Sequence, residues 1–376
     1  MLSKHLKIIL AGAILAIPLL FVLSFSPSEL FEEITPKPKR SSEKGLYITY
    51  YYAKTPRLVT RLKNRAKKHG LNTLVIDSKW FLEKPFLALL KENKINSEVK
   101  AVPDPWLAKF VAELHEEGFI VTARLVVFKD DHLALARPDL GVKLKGAGEG
   151  VKGLYRDHKG GKWADPYSAE VRLYQALIAE SAAMSGVDEI QFDYIRFPAE
   201  GGAQNAVYPF EKEGVTRVDA ICEFLKGVHQ RVKKYNVSIA VDIFGVTAWQ
   251  SKNDIESLGQ DLKRMAKYID VVSPMLYPSH FHAGYDGFAN PGSHPYYFLS
   301  MGVKKTKEIL SREAVAVVPW LQGFNLRSPN FGPNYVREQI RACEDEGAEG
   351  YLIWNARNVY DTSFRALGYR QTEMLP

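Results

Sequence analysis

From residue 45 onward the chain alternates short Val- and Ile-rich runs with stretches of helical periodicity, and it does so eight times. The apolar runs predict strands over 46–52, 73–78, 120–128, 189–197, 238–245, 270–277, 314–321 and 350–355. Helical spacing fills intervals between them, over 57–69, 105–117, 169–185, 215–235 and 333–346. The runs lack strict apolar–polar alternation, as strands buried on both faces do. No fixed short repeat underlies them. Eight strand-then-helix units of roughly 40 residues each predict an α/β fold closed into a (β/α)8 barrel with loop insertions. The alternative is a doubly wound parallel sheet, which needs no eighth strand.

Composition closes off other classes. With 46% hydrophobic and 25% charged residues the chain is ordinary globular material. The net charge is +7, but six Lys/Arg against four Glu lie in the first 44 residues. What remains is too dilute for a nucleic-acid footprint, so no nucleic-acid partner is expected. Cys222 and Cys343 are too few for a disulfide framework or a four-ligand zinc site. Lys4 and Lys7 precede an uncharged apolar run over 8–25, close to the shortest helix that spans a bilayer. It predicts a membrane-spanning signal anchor over 1–25, or a signal peptide that is cleaved, followed by a Pro-containing linker over 26–44. Lysines ahead of the run place the barrel, 45–376, outside the cytoplasmic membrane, either anchored by one span or secreted.

The two largest insertions in the pattern follow the third and sixth strands, over 129–166 and 278–295. Strand C-termini are the face on which barrels build their sites. The first insertion contains Gly148-Glu149-Gly150-Val151-Lys152-Gly153, a formal G-x-G-x-x-G. It neither follows a strand directly nor opens a helix, so it predicts a loop and no nucleotide site.

Polar residues at the strand ends carry the functional signal. An acid inside an apolar strand costs several kcal/mol unless it is paired or used. Asp193 lies in Gln191-Phe192-Asp193-Tyr194-Ile195-Arg196-Phe197-Pro198, and alternation puts Gln191 and Asp193 on one face. Asp242 in the fifth strand and Asp77 in the second repeat the pattern. A salt bridge to Arg124 or Arg196 is the structural alternative for each acid. Tyr277, His280, Trp320, Gln322, Trp354 and Asn355 end or follow strands six to eight. Aromatic faces pack on the C–H faces of sugar rings, and amides and carboxylates bind hydroxyls.

The motif at 191–198, with Val-Asp-Ile-Phe-Gly (241–245), Ser-Pro-Met-Leu-Tyr-Pro-Ser-His (273–280), Pro-Trp-Leu-Gln (319–322) and Gly-Tyr-Leu-Ile-Trp-Asn-Ala (350–356), resembles the bacterial putative glycoside hydrolase family. Its members are exported or membrane-anchored TIM-barrel proteins grouped loosely with α-amylase-like barrels, and the match spans nearly all of 45–365. In amylase-like barrels the nucleophilic Asp ends strand four and a general acid ends strand five. The resemblance places those roles on Asp193 and Asp242. Two departures stand out: the strand-five acid is Asp rather than Glu, and strand seven ends without a third carboxylate.

The expected activity is hydrolysis of O-glycosyl bonds in a poly- or oligosaccharide, without a cofactor. Asp193 is the nucleophile or ion-stabilising carboxylate and Asp242 the acid. Asp77, Arg124, Gln191, Arg196, Tyr277, His280, Trp320, Gln322, Trp354 and Asn355 bind substrate. One alternative is a surface-anchored barrel that holds glycan without cleaving it. A second is a metal-dependent hydrolase using His280, His282, Asp286 and His294.

Overall fold

The computed structural model describes residues 42–249 and 251–373. Eight parallel strands form the sheet: β1 (Glu43–Ile48), β2 (Thr73–Asp77), β3 (Ile120–Val126), β4 (Glu189–Asp193), β5 (Ser238–Phe244), β6 (Val271–Met275), β7 and β8 (Gly350–Trp354). β7 is made of two pieces, Ala316–Val317 and Trp320–Gln322, because Pro319 has no N–H to give the ladder. Each strand pairs with the next in sequence, and β8 pairs with β1 through Glu43↔Gly350, so the sheet closes on itself. An eighth strand and closure decide for the barrel over the doubly wound sheet.

Two apolar layers follow from the pleat. Leu46, Ile48, Leu74, Ile76, Ile190, Phe192, Val241 and Ile243 point outward into the larger core beneath the helices. Tyr47, Val75, Ala240, Val271, Val318, Trp320 and Leu352 form the smaller core inside the barrel. Gly45 sits where β1 is crowded by its neighbours: a Cβ there would lie 2.8 Å from Leu352 and 2.9 Å from Thr73. Helix starts are written in the sequence. Pro occupies the first turn of Pro56–Lys68, Pro105–Glu116, Pro295–Ile309 and Pro333–Asp345. Ser168 caps Ala169–Met184, and Thr216 with Asp219 makes a capping box for Arg217–Val232.

Several expected boundaries shift. Glu43 and Lys44, assigned to the linker from composition, are the first residues of β1. Tyr50–Ala53 is a helical turn instead of the end of a strand, with Thr49 as its cap. Expected strand 189–197 stops at Asp193. Between β5 and β6 lie two short helices, Lys252–Leu258 and Leu262–Met265, separated by Gly259 at φ +76°. The connection over 194–216 is longer than that over 276–294, so the second-largest insertion follows strand four and not strand six. The expected anchor and most of the linker lie outside the described residues. Among the described residues no helix is long and apolar enough to cross a membrane.

The loops at the strand C-termini are unequal. Over 127–168, 194–216 and 276–294 they are long and wall in the mouth beside β3, β4 and β6, burying Tyr155, Trp163 and Tyr208. Beside β8, β1 and β2 they are short: helices begin at Asp361, Tyr50 and Lys79.

Candidate active site

Arg124 of β3 is the electrostatic centre of the mouth. Its Nη1 donates to Asp77 Oδ1 at 2.9 Å and its Nη2 donates to Asp193 Oδ2. The Tyr47 hydroxyl donates to the other Asp77 oxygen at 3.3 Å. Tyr47 and Trp354 stack with centroids 3.9 Å apart, and the Arg124 guanidinium lies 4.9 Å from the Trp354 ring and 5.5 Å from that of Tyr47. A buried guanidinium is costly alone; two carboxylates and two aromatic faces offset that cost here.

Asp193 closes β4, and Tyr194 immediately turns the chain in the left-handed region at φ +51°. For a residue with a Cβ that conformation costs about 1–3 kcal/mol. Two backbone bonds hold it: Val127 N–H to Asp193 O at 2.9 Å and Phe128 N–H to Tyr194 O at 3.3 Å. The turn aims the Tyr194 N–H at Asp193 Oδ1, 2.6 Å away. One carboxylate oxygen therefore faces a guanidinium and the other a backbone donor.

Asp242 stands on the adjacent strand, one residue past the Phe192↔Val241 pair as Asp193 is. Its surroundings are opposite in character. It is 2% exposed, and its polar contact is the Trp320 indole N–H, which donates to Oδ1 at 2.7 Å. Burial, and after it the negative charge of Asp193, push the Asp242 carboxyl well above the usual range; Arg124 and the Trp320 bond oppose this without reversing it. Tyr277 is buried close by, and burial followed by Asp242 and Asp193 raises its phenol too, keeping it a proton donor. Beneath the acids, Gln191 Nε2 donates to Ser273 Oγ at 3.0 Å, and the Thr122 hydroxyl donates to Glu189 at 3.3 Å.

The structure thus brings Asp77, Arg124, Gln191, Asp193, Asp242, Tyr277, Trp320 and Trp354 to one basin. The other expected site residues serve the walls. Gln322 is fully buried: its Oε1 accepts from Ser279 N–H at 3.1 Å, and its Nε2 donates to Phe324 O and Ser328 Oγ, each at 3.0 Å. It ties the loops after β6 and β7 together. Asn355 does likewise after β8, donating to Gly323 O at 2.7 Å and Val359 O at 2.9 Å. Arg196 bends away from Asp193; its guanidinium pairs with Glu200 at 2.7 Å and lies 4.0 Å from the Phe244 ring. His280 is an exposed rim residue, edge-on to Tyr277 and Phe324.

Gln322→Ala is expected to cost about 2–4 kcal/mol, since it leaves several buried polar groups unpaired. Urea denaturation checks it, and a loss below about 1 kcal/mol would contradict the assigned role.

Tyr47, Ser273 and Phe324 belong to the mouth and were not anticipated. For Tyr47 the signal was present: it shares the inward face with Gly45, between outward Leu46 and Ile48. The histidines proposed as metal ligands do not gather. His282 bonds Ala283 O at 3.0 Å, Asp286 accepts from Tyr297 and Trp249, and His294 packs on Phe288. Among the described residues the donor group close enough for a metal is Glu83, Asp130 and His132. There the Lys79 ammonium already bonds Asp130 and two carbonyls, and Tyr174 and Gln175 supply further donors.

Residues 45–360 match the family model described as "Putative glycosyl hydrolase domain". The chain belongs to that family. No curated protein matches it. Among solved structures it is similar to the PgaB (BpsB) glycoside hydrolase domain from Bordetella bronchiseptica, with 14% identity over 87% of this chain and 99% of that one, at a TM-score of 0.59. It is also similar to the endo-1,4-β-D-mannanase from Thermotoga petrophila RKU-1, with 16% identity over 88% and 99% of the two chains and a TM-score of 0.54. A β-galactosidase from Halorubrum lacusprofundi aligns at 13% identity over 86% of this chain and 54% of its own, with a TM-score of 0.58. At these identities the likeness is one of fold.

Proposed function

We propose that the protein hydrolyses glycosidic bonds of an extracytoplasmic polysaccharide, with Asp193 as the carboxylate at the anomeric centre and Asp242 as the general acid. The observation that carries this reading is the contrast between two neighbouring aspartates. Asp193 is paired with Arg124 and a backbone N–H, whereas Asp242 is dry, raised and held by an indole. Paired carboxyl groups set apart by their surroundings are what glycoside cleavage needs. Asp242 gives its proton to the glycosidic oxygen as the C–O bond breaks, while Asp193 faces the positive charge developing on carbon. Water then adds to that carbon and returns a proton to Asp242. Trp354, Tyr47 and Tyr277 provide the apolar and hydroxyl surface for the ring. Family membership supports the reaction class, and the apolar run over 8–25 motivates the exterior address, anchored or secreted.

The test is release of new reducing ends from polysaccharides, abolished in Asp193→Asn and in Asp242→Asn. A protein that binds a glycan and returns it intact would be a binding module, and the hydrolase reading would fall. The sign of the pH dependence follows from Asp242. Only its protonated form is an acid, so activity declines as pH rises through its folded value. Because that value lies above the unfolded one, its contribution to stability is complete at low pH and fades over the same rise. The melting temperature of Asp242→Asn relative to the parent should therefore increase with pH.

A further inference from the structure

Two large aromatic side chains stand on the mouth outside the site described above. Tyr51 lies in the turn Tyr50–Ala53 that follows β1, and Trp80 in the turn Lys79–Leu82 that follows β2. β1 and β2 are neighbours, paired through Tyr47↔Val75. Tyr51 is 74% exposed and Trp80 43%, whereas rings of this size normally end up mostly covered. Tyr51 meets Tyr50 edge-on at 5.2 Å, and Trp80 packs on His132 at 4.4 Å, so each ring keeps an open surface. At the end of β2 sits Asp77, the acid of the site most open to solvent, with 34% of its side chain exposed.

The same side of the mouth continues through the loops after β8 and β7, where Val359 and Leu326 are exposed. Loops after four neighbouring strands thus each present an apolar side chain. The half of the mouth beside β3, β4 and β6 is roofed by the long connections. Asp193 and Asp242 are buried while Asp77 is open, so the approach to them runs from the side of Asp77, along the arc of Tyr51 and Trp80. Single exposed rings with polar groups beside them, His132 against Trp80 and Asp77 at the end of β2, suit a chain of sugar units, each with one apolar C–H face and hydroxyls around its edge. They do not suit a protein face, which would want a continuous apolar patch.

We infer that this arc is a cleft for the body of a glycan chain, with Tyr51 and Trp80 each holding a sugar unit, and that the protein cuts internal bonds of the polymer rather than trimming its end. The inference rests on the hydrolase reading for the cutting, but the cleft can be tested without it. The probes are mannan and galactan oligosaccharides, each of two, four and six units, with the full-length Asp193→Asn protein, in which turnover is expected to be lost. Binding to one series should tighten about tenfold from two to six units. Adding Tyr51→Ala or Trp80→Ala should each remove about tenfold of the six-unit affinity, with an unchanged melting temperature, and Trp80→Phe should restore most of it. Equal affinity at two and six units, indifference to both substitutions, or no binding to any series would overturn the cleft. Reducing-end release by the parent protein is read separately, together with product length: a spread of oligosaccharides is expected early, and monosaccharide alone would overturn internal cutting. The absence of release, with length-dependent binding retained, would sink the hydrolase reading and leave the cleft standing.

Discussion

Asp193→Asn is expected to lower turnover by at least about a thousandfold, as loss of an essential carboxylate does, while the protein still folds. From sequence alone the melting temperature should hold level or rise. The bond from Arg124 alters that expectation. The amide keeps the size of the side chain and can still accept from Tyr194 N–H, and Arg124 retains Asp77 as a partner. Relief of the repulsion with Asp242 offsets part of the lost ion pair. A decrease of a few degrees is therefore expected, far short of what stranding a buried charge would cause. Reducing-sugar assays with thermal melts on the same preparation check both halves. A collapse in melting temperature with full activity per folded molecule would make Asp193 a structural residue.

Arg124→Met should be the more damaging change. It removes the cation shared by Asp77 and Asp193 and leaves their charge uncompensated beside Asp242, inside a barrel. Breaking a buried pair from one side costs roughly 3–5 kcal/mol. The open position of Asp77 and the Tyr47 hydroxyl, which still donates to it, keep the loss from being larger. Turnover should fall as well, because the side chain that orients Asp193 is gone. Denaturant titration against the parent measures the first effect, and a loss under about 1 kcal/mol would show that Arg124 is not the keystone assigned here.

The barrel was legible because its strands are buried on both faces, and such runs cannot hide in a sequence. Asp77, Asp193 and Asp242 were legible for the converse reason: each is a charge where the pattern demands an apolar residue. What escaped has local causes. A strand over 189–197 reads as continuous because Tyr194 and Ile195 are good strand formers; only the three-dimensional packing forces Tyr194 left-handed. Once the chain turns there, alternation no longer applies, and Arg196 finds Glu200 instead of the mouth. Gln322 and Asn355 looked like ligands for hydroxyls because a buried amide and a substrate-binding amide have the same appearance in a sequence. The proline that divides β7 was in plain view, yet the strand resumes after it because Trp320 pairs with both Met275 and Leu352.

The arrangement around Arg124 has a consequence for how the pocket meets its substrate. Two carboxyl groups flank one guanidinium, and burial pushes the third acid toward its neutral form. Before anything binds, the acids that share the guanidinium outnumber it, an excess fixed by side chains that need not move. A sugar arrives uncharged and leaves the excess untouched. On the proposed chemistry it is cancelled at the moment when the breaking bond leaves its positive charge on carbon. The work of building that field was done during folding, and the reaction inherits it.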